Sequence, residues 1–278
     1  MVEHLRITVL AENTVRGRDL LAEHGLALWV EADDTRLLFD TGQGQVLAAN
    51  ARALGIDLTT AQHVVLSHGH YDHTGGLAAS LELFARAKIY AHSAAFQTRY
   101  GFRDAHTPTA NGIPMSGRAE LAGHVVDVIS TDGHTPIAPG IWATGEVPRH
   151  TDFEDTGGHF YLDTAATTPD TIPDDQALYI ETPTGLVVLL GCAHAGLVNT
   201  LDHIATLTKR RRVRAILGGT HLVRAAPERL TKSIAAVRRR KVELIAPGHC
   251  TGLPAVAAFH RAFPSRFREL SVGTVLKL

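Results

Sequence analysis

Apolar positions in the first third of the chain fall into short runs bounded by turn residues. The runs at 7–10, 26–31 and 37–40 are rich in Leu, Val, Ile and Trp, and each predicts a strand. Asp33-Asp34 separates the last two and predicts a hairpin. The spacing then changes: Val46, Leu47, Ala51 and Leu54 recur at helical intervals, and Gly55 closes that segment. The run at 63–67 predicts a buried strand, 75–84 a helix and 88–91 another strand.

From about 96 to 173 the pattern weakens. Gly, Pro, Thr, Asp and His dominate, with apolar islands at 125–129 and 141–143. A structureless stretch of this length is uncommon inside a compact domain, so an inserted cap carrying strands of its own is expected. Periodicity returns at 177–182 and 186–190, two strands joined by Pro183-Thr184-Gly185. Leu197, Leu201, Ile204 and Leu207 share a helical face, a strand follows at 215–217, and Pro227 opens a further helix. A strand at 244–246, a helix at 255–263 and a strand at 272–278 complete a single domain over 1–278. Two sheets packed face to face with helices outside would bury these elements.

The 278 residues are 45% hydrophobic and 20% charged, enough apolar material for a sizeable core. A net charge of -1 gives no bulk electrostatic reason to expect nucleic acid or an anionic membrane. No apolar stretch approaches the ~18 residues that span a bilayer, and the N-terminus has no leader pattern. A soluble cytoplasmic protein is therefore expected. Cys192 and Cys250 each lie within two residues of a histidine. That suits a reduced compartment and a nearby metal better than a disulfide scaffold.

The histidines change the picture. His68-Gly-His70-Tyr-Asp72-His73 places four candidate ligands in six residues, directly after a predicted strand. In extended chain, residues i and i+2 point the same way, so His68 and His70 can address one ion. Asp72 and His73, past the bend, can address a second. Imidazole and carboxylate suit zinc, manganese or iron. Three later strands also end in a small residue followed by histidine: Gly191-Cys192-Ala-His194, Gly218-Gly-Thr-His221 and Pro247-Gly-His249-Cys250. His194 is the candidate third ligand of the first ion and His249 of the second. His221 is open between ligand, substrate contact and support. Cys192 is a possible metal ligand or bridge, or else a small buried residue. Asp40, ending another strand, either orients a ligating histidine or closes a local turn.

The Asp40-Thr-Gly42 turn, the His68/His70/Asp72/His73 motif and the later strand-end histidines resemble the metallo-β-lactamase superfamily. The resemblance implies an α+β fold, a four-layer αβ/βα sandwich of two mixed sheets with outer helices and a dinuclear metal site at one sheet edge. Glu12-Asn-Thr14, Leu21-Ala-Glu-His-Gly-Leu26, Ser67-His-Gly-His-Tyr-Asp-His-Thr-Gly-Gly76, Thr144-Gly-Glu-Val-Pro-Arg149, Gly191-Cys-Ala-His194 and Pro247-Gly-His-Cys-Thr-Gly252 are similar to one branch. Its members are labelled 7,8-dihydropterin-6-ylmethyl-4-(β-D-ribofuranosyl)aminobenzene 5′-phosphate synthase or metal-dependent hydrolase. The chain departs from the superfamily's commoner order, in which the third histidine of the first ion precedes the bridging residue. Either His194 takes that role, or His134 or His150 does with Cys192 bridging.

The expected activity is hydrolysis by a metal-bound hydroxide, in which two divalent ions, zinc first, activate water and stabilise developing charge. Asp72 would direct the nucleophile, with Asp40 behind it. The expected partner is a small anionic substrate, phosphorylated or pterin-like. Arg149 could grip its phosphate or be a solvated loop residue, and Phe160 and Tyr161 could stack its ring or pack the cap. The basic runs at 209–212 and 238–241 fit helix C-termini, which leaves an RNA or nucleotide phosphodiesterase as an alternative and nucleic acid an unlikely partner. A non-catalytic ligand-binding or signalling protein is the other alternative. No membrane partner is expected, and a homo-oligomer is left open.

Overall fold

The computed structural model describes residues 1–102, 107–114, 128–209 and 212–278. The basic-run residues Arg210 and Arg211, and the start of the apolar island at 125–129, lie outside them. Strands β1 (Leu5–Ala11), β2 (Ala27–Ala32) and β3 (Thr35–Phe39) pair antiparallel. The β2–β3 turn puts Asp33 at a φ of 50°, in the left-handed region that Asp tolerates. β4 (His63–Val65), β5 (Lys88–Ala91) and β8 (Val128–Ser130) extend this sheet in parallel from β3, and β16 (Val275–Lys277) adds to its far edge.

The second sheet is built around β12 (Ala177–Thr182) and β13 (Gly185–Leu190), an antiparallel hairpin. β14 (Val213–Gly219) and β15 (Leu244–Gly248) follow in parallel on one side, and β10 (Ile141–Ala143) and β9 (Thr135–Ala138) lie on the other.

Alternation along the strands divides the core into three layers. Leu28, Val30, Leu37 and Phe39 of the first sheet meet Leu178, Ile180, Val187 and Leu189 of the second in the central layer. The opposite faces carry the helices. Trp29 and Leu38 pack with α1 (Leu47–Ala53) and with Leu77 of α2 (Tyr71–Ala79). Leu186 and Val188 pack against α3 (Leu197–Thr208), α4 (Pro227–Arg239) and α5 (Leu253–Ala262). The result is the four-layer αβ/βα sandwich of an α+β protein. Among the described residues, no helix is long and apolar enough to cross a membrane.

Two boundaries differ from the sequence pattern. α2 starts at Tyr71 rather than near 75, so Asp72 and His73 occupy its first turn. The turn sits tightly on the β3–α1 connection: a Cβ at Gly76 would stand 2.1 Å from the Thr41 carbonyl oxygen. Within 96–173, β8, β9 and β10 belong to the two principal sheets. Among the described residues of that stretch, only β6 (Tyr100–Phe102), β7 (Pro108–Ala110) and β11 (Phe160–Tyr161) form a separate three-stranded sheet. Islands of three or four residues are too short to reveal membership of a large sheet by periodicity.

Candidate metal centre

The parallel strands deliver chemistry from their C-terminal ends. Asp40 follows β3, Ser67 and His68 follow β4, Cys192 and His194 follow β13, His221 follows β14 and His249 follows β15. Asp40, Ala193, His221 and His249 hold φ values of 60°, 54°, 45° and 51°, a conformation unfavourable for side-chain-bearing residues. Each costs on the order of 1–3 kcal/mol and persists because the surroundings impose it. At this sheet edge, that strain turns the side chains back toward one another.

Two groups result. In the first, His68 Nε2 and His70 Nδ1 are 3.0 Å apart, and both rings lie edge-on to His194 with centroids 4.8 Å away. In the second, His73 Nε2 and His249 Nε2 are 3.0 Å apart, and Asp72 Oδ2 is 3.8 and 3.4 Å from them. Cys192 lies between the groups. Its sulfur is 3.2 Å from His73 Nε2, and it forms ligand-spaced trios both with His68 and His194 and with His73 and His249.

The far side of four of the five rings is anchored. His68 Nδ1 donates to Ser67 Oγ at 2.9 Å, and His73 Nδ1 to Asp40 Oδ2 at 2.7 Å. His194 Nδ1 donates to the Thr156 carbonyl at 2.7 Å, and His249 Nδ1 to Asn13 Oδ1 at 3.0 Å. These acceptors fix the tautomer, so the Nε2 lone pairs face inward, as metal-ligating histidines require. Asp40 is thus an orienting carboxylate that also accepts from Ser67 N and Ser67 Oγ, both at 2.7 Å.

This arrangement fits a pair of divalent cations. Two inward lone pairs at 3.0 Å repel unless a cation or proton stands between them, and the His194 Nε2 and His70 Nε2 atoms are buried without partners. Burial holds His68, His70 and His194 well below the usual imidazole range, which keeps them neutral. Burial also acts on His73, but the Asp40 and Asp72 carboxylates outweigh it and push the ring up to about 9, so positive charge is favoured there. Asp72 stays well below the ordinary carboxylate range because His73, His24 and His249 outweigh its burial.

The centre floors a cavity of about 1040 Å³, lined by His70, Asp72, Cys192, His194, His221 and His249 at one end. Phe160 forms a wall, its ring 4.9 Å from His70 and 5.4 Å from His194. Tyr161 instead packs on Phe102 and is not a lining residue. Arg149 does not reach the cavity. Its guanidinium donates to the carbonyls of His194 at 2.6 Å and Thr171 at 2.7 Å, so it braces the His194 turn rather than meeting substrate. His134 stacks on Trp142 and bonds Tyr179, and His150 pairs with Asp202; neither joins the centre. The basic runs are partly occupied, Arg212 with Glu243 and Arg240 with Asp202.

Several residues around the centre were given no role from the sequence, although Glu12 and His24 lie in segments similar to the branch. His24 Nε2 is 3.2 Å from Asp72 Oδ2 and lines the cavity, although it lies in a loop far from the motif. Glu12 Oε1 accepts from His249 N at 2.6 Å and holds that strained turn. Asp174 accepts from Gly69 N and pairs with buried Arg99, while Asp175 accepts from Ala195 N. Two adjacent acids just ahead of strand β12 were the available signal for this last pair, because buried carboxylates need fixed partners.

A two-sheet sandwich with this ligand pattern at its edge defines a metallohydrolase-type fold. The chain belongs to the metallo-β-lactamase superfamily, whose family profile matches residues 21–249. It is 30% identical over 99% of its length, and 97% of the relative's, to 7,8-dihydropterin-6-methyl-4-(β-D-ribofuranosyl)-aminobenzene-5'-phosphate synthase of Methanocaldococcus jannaschii. It is also similar to the crystal structure of Tm1679, a metal-dependent hydrolase of the β-lactamase superfamily, with a TM-score of 0.84, 30% identity and 99% of both chains covered. A diphosphatase of the PhnP family, 14% identical with a TM-score of 0.55 and 98% of its chain covered by 100% of this one, shares the fold.

Proposed function

We propose that this protein is a dinuclear metal-dependent hydrolase acting on a small anionic substrate, phosphorylated or pterin-like. The observation that carries the reading is the two inward-facing nitrogen pairs, each 3.0 Å apart, on either side of Cys192. His68, His70 and His194 would hold one ion, and Asp72, His73 and His249 the other, with Cys192 able to serve both. Zinc suits this nitrogen-rich set with one thiolate and one carboxylate, and manganese or iron is also compatible. Two such ions would supply Lewis-acid polarisation of a carbonyl or phosphoryl oxygen and a source of hydroxide near neutral pH.

The chain's own residues do the rest. Asp72, bonded by His24, keeps one carboxylate oxygen directed at the His73–His249 pair. Phe160 offers a ring face beside the centre, and Val223, Val256 and Phe267 add apolar wall farther out, which suits an aromatic group. Arg224 is the one Lys or Arg lining the cavity among the described residues, and no ion pair or hydrogen bond there engages it. It takes the anion-gripping role expected of Arg149. The name carried by the Methanocaldococcus jannaschii relative supports a phosphorylated, ring-bearing substrate.

The test is hydrolysis of bis(p-nitrophenyl) phosphate by zinc- or manganese-loaded protein. Turnover is expected in the wild type and lost in His249→Ala, while Arg224→Ala raises KM about tenfold with kcat kept, the scale of one charge-assisted hydrogen bond. Protein shown to hold two ions yet inert toward phosphodiesters, carboxylic esters and lactones alike would defeat the reading.

A further inference from the structure

Cys192, His221 and Cys250 form a second cluster beside the paired imidazoles. One ligand atom from each lies within 4.8 Å of the other two. They come from three neighbouring strand ends: Cys192 after β13, His221 after β14, and Cys250 in the short turn after β15. Both cysteines are free and buried. The His221 backbone N–H donates to Cys250 Sγ at 3.3 Å, and the Cys250 thiol faces the Cys192 carbonyl at 3.6 Å.

Two further observations point to a ligand. His221 Nδ1 is buried and has no hydrogen-bond partner, although a ring nitrogen so placed ordinarily finds one. Gly219 leaves room beside the cluster that a side chain would fill: a Cβ there would stand 2.3 Å from the Gly191 carbonyl oxygen and 2.6 Å from Cys250 Sγ. The cluster lies against the cavity, which all three residues line, so an ion has a route in.

We propose that Cys192, His221 and Cys250 form a further metal site for a thiophilic cation, adjoining the centre that the two histidine pairs would form. Two thiolates and one imidazole are a softer donor set than the His- and Asp-rich pair beside them, and they select zinc, cadmium or copper(I) over magnesium or manganese. Binding a divalent ion releases two thiol protons to solvent, forms two metal–sulfur bonds and one metal–nitrogen bond, and leaves the imidazole neutral. The resulting unit carries no net charge, which suits its burial. The site shares Cys192 with the dinuclear reading but stands without it.

The experiment is a titration of the full-length, reduced, metal-free protein with Cd²⁺, read by thiolate-to-cadmium charge-transfer absorption in the ultraviolet. Cys250→Ser and Cys250→Ala are each expected to lower the plateau to about half, because one of two cadmium–sulfur bonds is lost. His221→Gln is expected to keep both thiolates but weaken binding at least ~10-fold. A His68→Ala/His73→Ala protein should retain the full band, which separates this site from the paired centre. Equal plateaus in wild type and both Cys250 variants would overturn the proposal. Should the Cys250 variants fail to fold by circular dichroism, an unchanged cadmium affinity in His221→Gln overturns it instead.

Discussion

The Asp40 carboxylate never reaches the cavity, yet it accepts from Ser67 N, Ser67 Oγ and His73 Nδ1, and Ser67 Oγ in turn receives His68 Nδ1–H. One buried acid therefore sets the orientation of a histidine in each half of the centre. Asp40→Asn keeps the shape and removes the charge that supports His73. Zinc affinity, measured by competition with a chromophoric chelator, is expected to fall about 10–100-fold, the usual range for partners behind metal ligands. Unchanged affinity would mean that hydrogen-bond geometry alone positions the ring. Arg149 and Arg224 make the same point from the other side. A loop arginine beside a motif looks like an anion grip, but backbone carbonyls occupy Arg149, and Arg224 is the one facing the cavity.

At the scale of elements, the His68–His70 turn is held from beneath by a segment a hundred residues away. Asp174 Oδ2 accepts from Gly69 N and from Arg99 at 2.7 Å each, and Asp170 Oδ2 lies 3.0 Å from Arg99 Nε. The Arg99 side chain is fully buried with both acids. Removing the cation leaves two carboxylates buried against one another, and burial already raises Asp170. Arg99→Ala is expected to destabilise the fold by about 3–5 kcal/mol in chemical denaturation, the range for breaking a buried ion pair from one side. A loss below about 1 kcal/mol would show that the acids take up protons or water at little cost. Strands β2, β3, β12 and β13 were legible because their apolar runs, bounded by turn residues, mark strands buried on both faces. β8 to β10 were not, since their pairing comes from neighbours remote in sequence.

For the molecule as a whole, the face-to-face packing brings β4 and the first turn of α2 from one half against β13 and β15 from the other. Candidate ligands from both halves then converge on one edge. An ion bound there ties the sheets together in the folded state only, so metal stabilises by mass action. Stripping metal with a chelator should lower the melting temperature, and zinc at about 100 times its dissociation constant should restore about 2.7 kcal/mol. Scanning calorimetry that gives one melting temperature with and without zinc would count against ligands drawn from both sheets.

The sequence by itself determined the types of the candidate ligands and their local order. His68, His70, Asp72 and His73 are covalently close, and each later histidine follows a short apolar run that reads as a buried strand, so short-range stereochemistry sufficed. It also pointed to the layered architecture, because apolar runs bounded by turn residues and helical spacing record which elements are buried. Only the tertiary structure decided which histidines share a pair, that Cys192 stands between the pairs, and that His24, Glu12, Asn13, Asp174 and Asp175 complete the surroundings. The reason is physical. Those contacts join residues up to 237 positions apart through single hydrogen bonds and left-handed turns, which leave no periodic trace along the chain.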